Sequence, residues 1–70
     1  MTEARITVNG EDRAYHGETI VEIVAATGLD PARAGIAVAL NGAIARRATW
    51  ADTRLAPGDR MEIVQSKTGG

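Results

Sequence analysis

Seventy residues with eight basic and nine acidic side chains, for a net charge of -1, make one small domain, because a chain this short buries only about 60% of the surface it exposes when unfolded. That size argues against a deep catalytic pocket, and the interspersed charges give no electrostatic footprint for nucleic acid or an anionic membrane. Without cysteine the chain has no disulfide, thiolate metal site or persulfide of its own, so any sulfur chemistry must use a partner's thiol.

Residues 4–9 alternate Ile6 and Val8 against Arg5 and Thr7, the period of two expected of a strand with one buried side. Asn9-Gly10-Glu11-Asp12 reads as a hairpin turn, since Asn-Gly suits two consecutive positive φ angles, and residues 13–15 return as a second strand. Thr19-Ile20-Val21-Glu22 fits a capping box and starts a helix. Ile20, Ile23, Val24 and Thr27 then form its apolar-facing stripe, Gly28 supplies a left-handed stop, Leu29 folds back on Val24, and Pro31 prevents continuation.

Ile36, Val38 and Leu40 alternate with Ala37 and Ala39, giving a third strand with one bulky face and one flat, nearly bare face. Asn41-Gly42 signals a second hairpin into a short strand around residues 43–46, followed by an irregular stretch holding Trp50 and Leu55. Ala56-Pro57-Gly58-Asp59 meets the demands of a type II turn. A last strand over residues 60–65 alternates Met61 and Ile63 against Arg60, Glu62 and Val64.

This order, β-β-α-β-β, predicts an α+β domain with one helix covering one face of a mixed sheet, the ubiquitin-like β-grasp arrangement. In that arrangement the first and last strands are neighbours in the middle of the sheet. The division expected is a β-grasp domain over residues 1–65 and a flexible tail over 66–70 ending in Gly69-Gly70. Five tail residues reach at most ~17 Å, enough to carry a carboxylate into another protein's active site. Glycines without Cβ pass a narrow channel and leave the Gly70 carbonyl carbon unhindered.

The other chemistry-bearing residues have plainer readings. Trp50 is a plug over the core edge, and Arg46, Arg47, Arg54 and Arg60 are solvated surface or steer an acidic partner. His16 stands alone in a turn with no second metal-ligating histidine or cysteine. Glu18 and Glu22 are no acid pair, because the cap accounts for Glu22 and a small domain offers no cleft. The stretch from Met1 carries Glu3 and Arg5, and no apolar run approaches the roughly 20 residues needed to span a bilayer. A cytoplasmic protein that binds neither membrane nor nucleic acid is expected.

The series Leu40-Asn41-Gly42, Arg46-Arg47-Ala48-Thr49-Trp50, Thr53-Arg54-Leu55, Pro57-Gly58-Asp59-Arg60, Glu62-Ile63-Val64 and Gly69-Gly70 resembles the ThiS family, the bacterial sulfur carriers of thiamine biosynthesis. Its order and spacing carry the resemblance across nearly the whole chain. The resemblance implies that a ThiF-like enzyme, using ATP and magnesium, adenylates Gly70. Sulfur from a cysteine desulfurase or rhodanese-type persulfide then makes a thiocarboxylate, which is delivered to thiazole synthase. The chain itself is then a protein cosubstrate, not an enzyme, and holds no cofactor or metal. Partner contacts are expected at Gly69, Thr68 and Lys67 in the tail and at Val64, Ala37 and Ala39 on the flat sheet face. Three alternatives share the fold: the small subunit of molybdopterin synthase, a ubiquitin-like modifier, and a noncovalent TGS-like binding module.

Overall fold

The computed structural model describes residues 3–66. Its elements run β1 (Arg5–Val8), β2 (Glu11–Ala14), α1 (Ile20–Ala26), β3 (Ile36–Leu40), β4 (Ala43–Ala45), a 3-10 turn at Arg47–Thr49, and β5 (Arg60–Gln65). The strands form one five-stranded sheet in the order β2-β1-β5-β3-β4. β5 pairs parallel with β1 and antiparallel with β3, so the last strand lies at the sheet's centre, as the element order predicts.

Both hairpins turn on Asn-Gly, with φ of 52° at Asn9 and Asn41 and 82° and 86° at the glycines after them. Consecutive positive φ angles match the right-handed twist of the flanking strands. The first turn is tighter than the sequence suggests: Val8 pairs with Glu11, so β2 begins immediately after Gly10 and includes residues assigned to the turn. The second hairpin pairs Leu40 with Ala43 and Ala39 with Ile44.

The capping box at the start of α1 is complete. The Thr19 hydroxyl accepts from the Glu22 amide at 3.3 Å, and the Glu22 carboxylate accepts from the Thr19 amide at 2.8 Å. Ile20, Ile23 and Val24 are buried against the sheet. Thr27 is not part of that stripe. It is the C-cap and is exposed, its hydroxyl turned back onto the Val24 carbonyl at 2.6 Å, a local bond that a threonine one turn later makes in preference to burial. Gly28 follows at φ 94° as the left-handed stop.

The core is Ile6, Val8, Ile36, Val38, Met61 and Ile63 from the sheet, the three helix residues, and Tyr15, Trp50 and Leu55 from the connections. Trp50 is 1% exposed and donates its indole N–H to the Ala45 carbonyl at 2.9 Å. It is a core residue, in line with the plug reading. The Tyr15 hydroxyl accepts from the Leu55 amide and donates to the Glu18 carbonyl, each at 2.8 Å, tying β2 to the long return segment. Among the described residues no helix is long and apolar enough to cross a membrane.

Candidate functional site

Lys67, Thr68, Gly69 and Gly70, four of the expected site residues, lie outside the described residues. What the structure describes is the strand that leads to them and the sheet face beside it. β5 is pegged by loop residues at three points along its length. At its start the Asn41 side chain accepts from the Arg60 amide at 2.9 Å and donates to the Asp59 carboxylate at 3.1 Å. In its middle, where β1 has already turned away, the Asn9 side-chain oxygen accepts from the Ile63 amide at 2.7 Å. This contact continues the parallel ladder that Thr7 and Asn9 make by donating to the carbonyls of Asp59 and Met61. At its end the Ser66 amide donates to the Gly35 carbonyl at 2.7 Å, one rung past the Ile36–Gln65 pair.

Alternation along β5 puts Met61 and Ile63 under the helix and Arg60, Glu62 and Val64 on the opposite face. The antiparallel register with β3 sets Ala37 opposite Val64 and Ala39 opposite Glu62, so Val64, Ala37 and Ala39 form one patch, as the flat face of β3 implies. Val64 is 63% exposed. The structure adds a residue to that patch: Ile44, opposite Ala39 on β4 and 75% exposed. The signal for it was present in the sequence, because a two-residue Asn41-Gly42 turn fixes Ile44 across from Ala39. Ile44 and Val64 are the large hydrophobic residues left exposed among those described, and both stand on the helix-free face.

The four arginines separate. Arg47 and Arg54 point into their own chain: Arg54 donates to the Gly17 carbonyl, and Arg47 donates to the carbonyls of Pro31, Arg33 and Ile36 while lying 4.5 Å from the centre of the Trp50 ring. Arg46 and Arg60 are exposed. Arg5, on the open face, pairs with Asp12 at 2.6 Å and Glu3 at 3.4 Å. His16 is exposed and within 3.8 Å of Glu18. The Glu18 carboxylate sits below the ordinary glutamate range because it accepts from the His16 backbone amide, with His16 and Arg13 adding smaller attractions. Among the described residues no cluster of His, Asp and Glu is placed to hold a metal ion.

A mixed sheet with β1 and β5 adjacent at its centre and one helix across it defines a small β-grasp protein. A model of the ThiS family matches residues 6–70, so the chain belongs to the ThiS family of sulfur carriers. The crystal structure of a thiamine biosynthesis protein (ThiS) from Geobacter metallireducens superimposes with a TM-score of 0.72 at 28% identity, covering 94% of this chain and 99% of that one. A search of curated proteins gives no match.

Proposed function

We propose that this chain is the sulfur-carrying cosubstrate of thiazole formation in thiamine biosynthesis, holding sulfur as a thiocarboxylate on Gly70. The observation that carries this reading is the family match, which runs without a break from the β-grasp body through Gly70. It is supported by the placement of the tail's root on β5, the central strand, beside the apolar patch of Val64, Ala37, Ala39 and Ile44.

A free carboxylate is a poor acyl donor, because its charge is delocalised and oxide would have to leave. A ThiF-like enzyme removes that obstacle. A Gly70 carboxylate oxygen attacks the α-phosphorus of ATP, pyrophosphate departs, and the acyl carbon gains AMP as a good leaving group. The terminal sulfur of a persulfide on a cysteine desulfurase or rhodanese-type protein then attacks that carbon and AMP leaves. A thiol reduces the resulting acyl disulfide, itself ending in a disulfide, and the thiocarboxylate remains for thiazole synthase. This chain contains no cysteine, so both the persulfide sulfur and the reducing thiol come from partners.

The body's part is docking. Val64, Ala37, Ala39 and Ile44 give the activating enzyme and thiazole synthase one apolar surface. Gly69, Thr68 and Lys67 thread the partner's channel, where glycine's missing Cβ lets the backbone pass closely. Removing Gly70 tests the reading. It draws the carboxylate back by up to ~3.5 Å, too far for in-line attack, so ATP–pyrophosphate exchange by the activating enzyme should nearly vanish while thermal unfolding is unchanged. A truncated chain that supports exchange at the parent's rate would contradict the proposal and favour a noncovalent module.

A further inference from the structure

We infer that Arg47 and Gly35 are positioning residues that fix the root of the carrier tail. Arg47 follows β4 in the chain, at the start of the 3-10 turn that leads into buried Trp50. Its guanidinium lies 4.5 Å from the centre of the Trp50 ring and donates to the carbonyls of Pro31, of Arg33 at 2.8 Å and of Ile36 at 3.4 Å. Those three carbonyls lie along the second half of the connection from α1 and the first residue of β3, on both sides of Gly35. A planar fork with five N–H donors can hold several carbonyls at once, whereas an ammonium on a flexible stem cannot reproduce that geometry. The indole, itself anchored to the Ala45 carbonyl, sets the position of the fork.

Gly35 converts this hold on a loop into a hold on the tail. Its φ of 88° lies where only glycine rests without strain, and its carbonyl accepts from the Ser66 amide at 2.7 Å. Among the described residues that bond extends the β3–β5 ladder one rung past the Ile36–Gln65 pair. Trp50, Arg47, the 31–36 loop, Gly35 and Ser66 thus form one chain of contacts from the core to the point where the tail begins.

The consequence rests on the proposed function. With Ser66 held, four residues separate the docked body from the carboxylate, a reach of at most about 14 Å. Freeing the root lengthens the tether and spreads the carboxylate over a larger volume, which lowers its effective concentration at the reacting centre. Misplacement of about 1 Å at a reacting centre costs up to 100-fold in rate, so a loosened root lowers the fraction of docked complexes poised to react. It leaves untouched the sheet face by which the body docks.

The test compares the parent with Arg47→Ala and Arg47→Lys, the second keeping an aliphatic stem over Trp50 in case the first unfolds. Amide exchange on the free protein is read first. The Ser66 amide should exchange at least about tenfold faster in both variants, while the Ile63 amide, held independently by Asn9, keeps its protection. Steady-state adenylation by the cognate activating enzyme is read second. The expected loss is about threefold to tenfold in kcat, with KM, set by docking, within about twofold of the parent. Unchanged Ser66 exchange would overturn the clamp. A released Ser66 with parental kcat would overturn the positioning role, and so would a loss confined to KM. A parent chain that is never adenylated would instead bring down the proposed function and the positioning role together, leaving the exchange result to decide the clamp alone.

Discussion

Asn9 and Asn41 each serve two purposes that the sequence reading separates. Asn-Gly is legible as a turn because positive φ is a local property, and both asparagines adopt it. Their second use, feeding a side-chain oxygen to an amide of β5, is not legible locally, because Ile63 and Arg60 lie 54 and 19 residues away. Asn9→Gly keeps the backbone conformation while deleting the acceptor, so it isolates this bond. It should cost about 1–3 kcal/mol, the penalty for a partly buried amide left unpaired, and should raise exchange at Ile63. An unchanged melting temperature would show that the peg contributes nothing.

Glu18 offers a test by pH. Its carboxyl pKa is lower in the folded chain than in the unfolded one, chiefly through the bond from the His16 amide. Folding therefore favours the ionised form. The stabilisation is fully present above the unfolded glutamate's pKa and is lost as pH falls through the lowered folded value. The melting-temperature gap between the parent and Glu18→Gln should be widest near neutrality and close on acidification below the ordinary glutamate range. A gap that widens toward acid would contradict this assignment.

Among the elements, those set by neighbours a few residues away were readable. The capping box at Thr19 and Glu22, the left-handed stop at Gly28, the type II turn at Gly58 and the alternation of β1, β3 and β5 all follow from short-range rules. The open face was half readable. Ala37, Ala39 and Val64 emerged from strand alternation, whereas Ile44 required the hairpin register to be carried across the turn. Arg47 was missed as a structural residue because its partners lie 11 to 16 positions upstream and its exposure resembles that of any surface arginine. Replacing Ile44 or Val64 by Asp should leave stability within about 0.5 kcal/mol, since both side chains stand exposed. Affinity for the activating enzyme should fall about tenfold or more, as a charge is forced into an apolar contact. Parental affinity in both variants would move the docking surface elsewhere.

At the scale of the molecule, the sheet order gives the tail its setting. Placing the last strand between β1 and β3 gives β5 a neighbouring strand on each edge, with the core and helix behind it and the helix-free face, which carries Val64, before it. On the proposed reading the body acts as a handle, while the chemistry is delegated to Gly70. Such a protein needs partners for activation, for sulfur and for acceptance, which fits a chain without cysteine. The central claim, that Gly70 is the sulfur-bearing residue, is tested most directly by intact mass after incubation with ATP, the ThiF-like enzyme and a persulfide donor with thiol. Exchange of one carboxylate oxygen for sulfur should raise the mass by about 16 Da, with the gain confined to the C-terminal fragment ending at Gly70. A chain that binds the activating enzyme yet keeps its original mass, or gains sulfur anywhere else, would contradict the account.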